Sequence, residues 1–264
     1  MINYLATQKN WQNAFSDTIT SFAELAQALD LPIDSFDSQV GQFPLKVPRR
    51  FVQKMGKGDI HDPLLKQVLP TFQETVQVTG FVTDPLDEQH ANPVKGIIHK
   101  YASRVLIPVT GACVVNCRYC FRQHFDYHEN LPTHNDWQAI SAYITAHPAI
   151  NEVILSGGDP LSLSNRRLLE IFTTLEALPQ VQTIRIHTRV PVMIPERLDE
   201  PLLARFANSR CHIVMVIHAN HPNEIDQETQ IFLGKAKKAG VTLLNQTVLL
   251  KSINDLSLIH ISEP

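Results

Sequence analysis

Short apolar segments of strand length recur along the chain from residue 104 onward. They read RVLIPVT, EVILSGG, TIRIHTR, HIVMVIHA and VTLLNQTVLL, which suits buried strands. Between the later segments, apolar residues repeat with helical spacing, which predicts helices over 136–147, 166–178, 200–208 and 228–239. This alternation predicts βαβ units, and hence an α/β fold with a parallel sheet covered by helices. The periodicity leaves open two architectures, a barrel and an open doubly wound sheet.

Individual residues mark the predicted helix ends. Asn135 and Asn165 are suited to cap the first two helices, and Gly240 lies where the last helix gives way to the fifth strand. The first hundred residues lack the alternation. They contain one predicted helix, over 21–29, followed by segments that are interrupted by prolines and resemble loops, such as FPLKVPRRF. We therefore predict an accessory segment at 1–100 that packs on a main domain at 101–255.

The composition narrows the classes of function. The chain has 264 residues, 44% of them hydrophobic, and a formal net charge of −3, so it can bury a large core. The charge gives no electrostatic reason to expect binding to nucleic acid or to a membrane surface. The start of the sequence does not resemble a signal peptide, and no apolar run approaches the ~20 residues that span a bilayer. We expect a cytoplasmic protein.

Three of the four cysteines form a C-x3-C-x2-C motif: Cys113, Cys117 and Cys120. Structural zinc sites and four-iron clusters usually have four protein ligands, whereas the remaining cysteine, Cys211, begins a predicted apolar strand and is expected to be a core residue. Three thiolates without a fourth would leave one iron with an open position for a small molecule. The alternative is a zinc loop completed by a histidine, such as His124 or His128.

Residues with chemical potential also end the predicted strands. Both sheet architectures place catalytic loops at the carboxyl ends of the strands. The cysteine motif follows the first strand, SGGDP ends the second and His218 ends the fourth. In SGGDP, adjacent glycines allow a ligand to approach the backbone closely, and the aspartate could hold an ammonium group. We expect these elements to form one site.

The cysteine motif, with an aromatic residue before its last cysteine, resembles the signature of radical S-adenosylmethionine (SAM) enzymes. CRYCFRQHF, ILSGGDPLSLSN, IRIHTRVPVMIPERL, HANHPNEID and LLNQTVLLKSIND then resemble, in this order, segments of lysine 2,3-aminomutases. The upstream text FPLKVPRRFVQKMGKGDIHDPLLKQVLP is similar to the bacterial branch that supplies β-lysine for modifying elongation factor P. The resemblance implies a partial (βα)6-type barrel, with about five strands here, preceded by a mainly helical or irregular segment.

The resemblance also implies roles for single residues. Cys113, Cys117 and Cys120 would ligate three irons of a [4Fe–4S] cluster, with SAM on the fourth iron. Arg122 would pair with the substrate carboxylate, which a planar guanidinium can hold through two parallel hydrogen bonds. The residues implied to contact SAM are Tyr119, near the adenine, and Ser156, Gly157, Gly158, Asp159, His218 and Gln246. Those implied near pyridoxal phosphate are Lys100, Tyr101 and Arg104, with Lys100 standing where better-known aminomutases have a second arginine.

The implied reaction moves the α-amino group of lysine to its β-carbon by radical chemistry, with lysine bound to pyridoxal phosphate. It implies an electron donor and a separate ligase that attaches β-lysine to elongation factor P. Two other functions stay open: a radical SAM aminomutase for another amino acid, such as glutamate, and a non-enzymatic iron–sulfur or metal-binding domain. The sequence leaves the oligomeric state open.

The chain departs from the family near its end. The family places its pyridoxal lysine in a Gly-rich segment that this sequence does not contain; Lys235 belongs to a solvated helix face, and Lys251 follows the fifth strand. Residues 256–264 can be written as codons that resemble a transposon-end sequencing adapter, so we expect a gene interrupted by an assembly artefact. We also expect the chain as written to expose the edge of its fifth strand, to be unstable and to be inactive alone.

Overall fold

The computed structural model describes residues 11–36 and 43–255, so the adapter-like residues 256–264 lie outside the described part. The first described segment contains helix α1, which includes residues 11–16, strand β1 (Thr18–Ile19) and helix α2 (Phe22–Leu29). The second described segment begins with strand β2 (Val47–Pro48), which pairs antiparallel with β1, and the short helix α3 (Arg49–Val52). The predicted helix over 21–29 is therefore confirmed.

A six-stranded sheet forms the centre of the molecule, in the order β3-β4-β5-β6-β7-β8. Strands β4 to β8 are parallel, and β3 is antiparallel to β4. The sheet is not closed, because within the described residues β8 pairs only with β7. The strands are β3 (Ile98–Tyr101), β4 (Arg104–Thr110), β5 (Glu152–Gly157), β6 (Thr183–Thr188), β7 (His212–His218) and β8 (Thr242–Gln246).

Helices fill the connections between the parallel strands. In α6 the apolar side chains of Leu168, Ile171 and Phe172 are buried, which gives the helix one apolar face against the core. The helices are α4 (Tyr127–Asn130), α5 (Asp136–Ala146), α6 (Asn165–Glu176), α7 (Val190–Met193), α8 (Glu200–Ala207) and α9 (Gln227–Lys238). None of the described helices is long and apolar enough to cross a membrane.

The α/β fold with five parallel strands is confirmed as a partial, open barrel, with corrections at its ends. Strand β3 was not predicted, and the fifth predicted strand is too long: β8 ends at Gln246, and the apolar text that follows is not strand. The cap of α6 is Ser164, whose hydroxyl accepts from the backbone N–H of Arg167, so Asn165 is the first helical residue instead of the cap. Asn135 does precede α5, but its side chain makes no capping hydrogen bond. Gly240, with φ +84°, follows α9 as predicted.

The register of the sheet places polar residues on one face. Side chains of paired residues, and of every second residue along a strand, point to the same side. His187 pairs with Val216 in β7, and His218 pairs with Gln246 in β8. By the same count Ser156 shares this face, since Ile154 pairs with Arg185, two residues before His187. The opposite face buries apolar residues beneath the helices: Val153, Leu155, Ile184 and Ile186.

The N-terminal segment is tied to the barrel through buried polar contacts. Lys54 donates from Nζ to the carbonyl oxygens of Val192 (3.0 Å) and Glu224 (2.8 Å) and to Oγ1 of Thr229 (3.1 Å). Its ammonium also lies 3.1 Å from a carboxylate oxygen of Asp226. Hydrogen bonds from Thr229, together with the charge of Lys54, lower the pKa of the Asp226 carboxyl to about 2. Val192 follows β6, and the other partners follow β7. These contacts therefore attach the N-terminal segment to the sheet at the carboxyl ends of these two strands.

Candidate functional site

The loop with three cysteines begins where β4 ends, and the N-terminal segment holds it in place. Lys46 donates from Nζ to the carbonyl oxygen of Cys113 (2.7 Å), and its own carbonyl accepts from the N–H of Asn116 (2.9 Å). The N–H of Arg118 donates to the carbonyl oxygen of Gln67 (3.0 Å). These contacts span more than forty residues of sequence, so the shape of the loop depends on the docked segment.

The three thiols of the loop are half-buried and close enough to affect one another. Burial raises the pKa of Cys113 above its usual range, and the charges of Asp159, Cys117 and Cys120 add to the effect. Burial also raises the pKa of Cys120, with a further contribution from Cys117, while the N–H and charge of Arg122 oppose the rise. In the protein alone, these two thiols are therefore stabilised in their neutral form, and a bound cationic centre would favour the thiolates.

The donor set fits an iron–sulfur cluster better than a single metal ion. Within the described ranges, no three His, Cys, Asp or Glu side chains form a group that could hold one ion. The histidines proposed for a zinc loop do not join the cysteines, since His124 is exposed and His128, also exposed, has Nδ1 3.0 Å from Glu129. In a four-iron cluster each thiolate binds a different iron, so the three sulfurs need not converge on one point.

Two glycines at the end of β5 allow the cysteine loop to pass close by. A Cβ on Gly157, which has φ +107°, would lie 2.6 Å from the carbonyl oxygen of Thr110. A Cβ on Gly158 would lie 2.5 Å from the carbonyl oxygen of Ala112, immediately before Cys113. The N–H of Gly158 donates to Thr110 (2.6 Å) and that of Asp159 donates to Ala112 (2.9 Å). In the structure the cysteine loop approaches these glycines, and the approach of a ligand stays a prediction.

The carboxylate of Asp159 is occupied by four donors from the protein. Oδ1 accepts from the hydroxyl of Thr188 (2.6 Å) and the N–H of Leu161 (3.0 Å). Oδ2 accepts from the N–H groups of Arg189 (2.7 Å) and Val190 (3.1 Å). The carboxylate thereby joins the end of β5 to the turn after β6, and its contact with the ammonium group of SAM stays a prediction.

Arg122 is buried and its guanidinium is held by an acidic residue that the sequence did not reveal. Nε and Nη2 donate to the two carboxylate oxygens of Glu88 (2.8 and 2.5 Å), and Nη1 donates to the hydroxyl of Ser156 (3.0 Å). The guanidinium also lies 4.6 Å from the centre of the Phe121 ring. The fork of Arg122 thus has the geometry that binds a carboxylate, and Glu88 supplies the carboxylate.

Two histidines face each other on the polar face of the sheet. The rings of His187 and His218 are 5.8 Å apart and nearly perpendicular. Burial lowers the pKa of both to about 4, and nearby positive charge, including that of Arg122, contributes in each case. A hydrogen bond with Gln246 partly opposes the shift at His218. Nε2 of His218 is buried without a partner, which fits a contact with a bound ligand; His187 was not among the predicted site residues.

Behind the cysteine loop lies a buried polar cluster built on Arg189. Its guanidinium donates to the sulfur of Cys117 (2.9 Å) from Nη1, and to Gln67 (2.7 Å) and Glu224 (3.0 Å) from Nη2. Tyr119 covers the guanidinium at 5.3 Å, and its hydroxyl lies 3.5 Å from Oε1 of Gln67. None of the three polar residues of this cluster, Arg189, Gln67 and Glu224, was among the predicted site residues. They lie within the quoted motifs, but single polar residues in loops carry no periodic signal.

Comparison with known proteins gives the same picture as the cysteine loop. The Radical SAM superfamily profile matches residues 107–261. A protein of Haemophilus influenzae named L-lysine 2,3-aminomutase is 46% identical over 251 residues, which cover 94% of this chain and 74% of that protein. One of the same name in Escherichia coli is 44% identical over 253 residues, with the same coverage. The chain belongs to the lysine 2,3-aminomutase family of radical SAM proteins. A more distant aminomutase, from Clostridium subterminale, is 32% identical over 255 residues.

Membership in the radical SAM superfamily implies a [4Fe–4S] cluster and SAM. The three thiols fit the cluster by their number and by the cations that border them: Lys46 at the carbonyl of Cys113 and the guanidinium of Arg189 at Cys117. The unpartnered Nε2 of His218 fits a ligand on the polar face of the sheet. Gln246, which is exposed, borders the same place.

The residues expected near pyridoxal phosphate in this aminomutase family lie on the hairpin of β3 and β4. Tyr101 pairs with Arg104 across the hairpin, and the guanidinium lies 5.5 Å from the centre of the exposed ring. Nε of Arg104 is buried without a partner, and Nζ of Lys100 donates to the carbonyl oxygen of Leu86. The five parallel strands contain no lysine, and Lys100 in β3 is the only lysine among the described strands. The hairpin therefore places Tyr101 and Arg104, two of the three residues predicted to lie near the phosphate, side by side.

Proposed function

We propose that this chain is the radical-forming part of an L-lysine 2,3-aminomutase, an isomerase that moves the α-amino group of lysine to the β-carbon. The observation that carries the proposal is the meeting, at one end of the sheet, of the three-cysteine loop, the buried fork of Arg122 and the unpartnered nitrogen of His218. The names of relatives 44–46% identical over 94% of the chain support lysine as the substrate.

We assign the residues as follows. When bound, the cluster and SAM supply the radical that removes a hydrogen atom from the β-carbon of the substrate. Arg122 holds the substrate carboxylate through two parallel hydrogen bonds. Cys113, Cys117 and Cys120 hold the cluster. The residues that border SAM in this proposal are Tyr119, Ser156, Gly157, Gly158, Asp159, His218 and Gln246.

Burial is the main contribution of the protein around Arg122. The arginine is 7% exposed and Glu88 is 5% exposed, so the carboxylate-binding fork lies away from bulk water. Electrostatic contacts in such a place are stronger than at the surface, and reactive intermediates are shielded from solvent. Both nearby histidines are neutral at pH 7, because burial and the surrounding arginines hold their pKa near 4. The fork is thus flanked by neutral rings instead of competing cations.

The finer parts of the proposal rest on the sequence motifs. We infer that the reaction needs pyridoxal phosphate, with its phosphate near Lys100, Tyr101 and Arg104, and that a one-electron donor reduces the cluster. We infer that the product, β-lysine, is attached to elongation factor P by a separate ligase in the cytoplasm. We further propose that residues 1–100 form the accessory segment and 101–255 the partial barrel, although strand β3 crosses this boundary.

The test is product analysis under anaerobic conditions. The protein is loaded with iron and sulfide, reduced with dithionite and incubated with SAM and L-lysine, with and without pyridoxal phosphate. Mass spectrometry then measures β-lysine and 5′-deoxyadenosine, with Cys120→Ser as the control. β-Lysine that forms only with pyridoxal phosphate and intact cysteines supports lysine isomerisation by this chain and its dependence on both cofactors.

Other outcomes separate the alternatives. Cleavage of SAM without β-lysine would keep the radical SAM assignment and contradict lysine isomerisation by this chain; parallel incubations with L-glutamate test a different amino acid. Neither cleavage nor product, from a protein that holds its cluster, would favour a non-enzymatic iron–sulfur domain.

A further inference from the structure

Arg189 directly follows strand β6 and is more buried than is usual for a charged side chain. It is 5% exposed, and its guanidinium lies between two aromatic rings, 5.5 Å from the centre of Phe51 and 5.3 Å from that of Tyr119. An arginine side chain stays protonated under all conditions in which proteins fold. A permanent positive charge is therefore enclosed beside the cysteine loop.

The contacts of the guanidinium divide between an acid and a sulfur. Nη2 donates to Oε2 of Glu224 (3.0 Å) and to Oε1 of Gln67 (2.7 Å). Nη1 donates to the sulfur of Cys117 at 2.9 Å. An ion pair with Glu224 would by itself account for a buried arginine. It does not account for the second nitrogen on a cysteine that the family uses as a cluster ligand.

A network from three segments fixes this orientation. Glu224, which is fully buried, accepts at Oε1 from Nε2 of Gln67 (3.1 Å) and from the N–H groups of Asn220 (2.8 Å) and His221 (3.1 Å). The amide of Asn220 in turn donates to Oε1 of Gln67 (2.9 Å). The guanidinium is thus held from the N-terminal segment by Gln67, from the turn after β7 by Glu224 and from the cysteine loop by Cys117.

The consequence for the cluster is electrostatic. Reduction adds one electron from an external one-electron donor, and so one unit of negative charge, to a cluster that already carries three thiolates. Hydrogen bonds to the ligand sulfurs and nearby fixed charges set the potential at which this happens. We propose that Arg189 is a positioning residue that orients Cys117 and raises the reduction potential of the cluster. Arg189 itself gains and loses neither a proton nor an electron.

This inference rests on Cys117 as a cluster ligand and not on lysine as the substrate. It is tested by a redox titration followed by electron paramagnetic resonance on the cluster-loaded chain, without SAM or amino acid. In Arg189→Met we expect the ratio of reduced to oxidised cluster at a fixed potential to fall about tenfold, the size expected for one hydrogen bond to a charged group. For one electron this equals a midpoint about 59 mV more negative. Arg189→Lys, which keeps the charge but loses the fork, should shift less.

Two further variants separate an effect on the potential from a loss of structure. Glu224→Gln removes the negative partner and keeps the arginine, so we expect a shift of the midpoint in the opposite, positive direction. The matched control is Arg118→Met, because Arg118 directly follows Cys117. Its guanidinium donates to a carboxylate oxygen of Glu74, to the carbonyl oxygen of Lys66 and to the hydroxyl of Thr71. It does not contact sulfur through these bonds, so its removal should leave the midpoint of the cluster unchanged within error.

The inference is overturned if Arg189→Met has the wild-type midpoint, or if Arg118→Met shifts it as much. If Arg189→Met does not hold a cluster, the other two variants test the inference. A negative shift of the midpoint in Arg189→Lys and a positive shift in Glu224→Gln support it. Wild-type midpoints, or shifts of the same sign in both variants, contradict it. Lysine isomerisation could fail while all these shifts are observed, so the two proposals are tested separately.

Discussion

Glu88 holds the guanidinium of Arg122 through both carboxylate oxygens, at 2.8 and 2.5 Å, and both side chains are almost fully buried. This is the arrangement that a bound amino-acid carboxylate would adopt on the same fork. Under the proposed function, the substrate therefore has to displace Glu88, and the strength of the internal pair subtracts from the strength of substrate binding.

Replacing Glu88 by glutamine should strengthen the binding of the substrate. The amide keeps the shape of the side chain but loses the charge, so the competing pair is weakened by an amount comparable to a charged hydrogen bond. We expect the dissociation constant of lysine on the SAM-loaded protein to fall about tenfold, as measured by equilibrium dialysis. Glu74→Gln, which breaks the comparable pair with Arg118, is the control and should change little. Unchanged or weaker binding in Glu88→Gln would assign the pair to structure alone.

Acid should destabilise the protein through His187 and His218. Their pKa is about 4 in the folded protein against an ordinary value of 6.5, so the folded state binds fewer protons than the unfolded state at pH between these values. Stability is therefore lost as the pH falls below 6.5. Between pH 7 and 5 we expect a loss of roughly 2 kcal/mol for each histidine in the cluster-free protein.

Urea unfolding at pH 7 and pH 5 measures this loss. His187→Gln and His218→Gln should each flatten the pH dependence, because glutamine does not titrate. The charged groups that shift His187 are His218, Arg185 and Arg122, and those that shift His218 are Arg189 and Arg122. Both variants retain the arginines, and His218→Gln also removes one of the charges that lower the pKa of His187. A pH dependence as steep as that of the wild type in both variants would show that other groups are responsible.

An added methyl group at Gly158 should disturb the cysteine loop. The new Cβ would lie 2.5 Å from the carbonyl oxygen of Ala112, and backbone atoms cannot move away as a flexible side chain can. We expect Gly158→Ala to lower the free energy of unfolding by about 2 kcal/mol or more and to reduce the iron bound per chain. Gly234→Ala is the matched control, since helix α9 leaves open space there, and it should stabilise the protein by about 0.5–1 kcal/mol. Equal effects of the two substitutions would contradict this view of the loop.

Asp159 offers a direct choice between a structural and a ligand-binding role. In Asp159→Asn one carboxylate oxygen becomes an amide group, which cannot accept from the N–H groups of Arg189 and Val190. Two buried donors without partners should cost roughly 2 to 4 kcal/mol of unfolding free energy, measured in urea without SAM. If the variant instead keeps its stability and loses only affinity for SAM, the sequence-based role as an ammonium ligand is right and the structural role is wrong.

The sequence predicted the strands well because each is a short apolar run with clear ends. Strand β4 is found over the predicted residues Arg104–Thr110. The error after β8 has a local cause: side chains bind the backbone there, with Oδ1 of Asn220 accepting from the N–H of Val248 (2.8 Å) and Oδ1 of Asn254 from that of Leu250 (2.8 Å). An apolar segment without a partner strand does not form the inter-strand hydrogen bonds of a sheet. Among the described residues β8 is an edge strand, and the side chain of Leu244 on it is 45% exposed.

The site was predictable where it rests on spacing and unpredictable where it rests on distant contacts. The three cysteines form a fixed local pattern. Glu88 meets Arg122 across 34 residues, and Gln67 meets Glu224 across 157 residues. Which polar residues of separate loops come together depends on how the N-terminal segment docks, and no local pattern encodes that. The instability expected of this chain remains a prediction, which thermal unfolding of the purified protein would check.

The central claim is that Cys113, Cys117 and Cys120 hold a cluster with one iron free for SAM. The most direct measurement is the electron paramagnetic resonance spectrum of the reduced, cluster-loaded protein before and after SAM is added. The account predicts that SAM changes the g-values of the spectrum and that the change is absent when any one of the three cysteines is replaced by serine. A spectrum that is the same with and without SAM, from protein that holds a complete cluster, would contradict it.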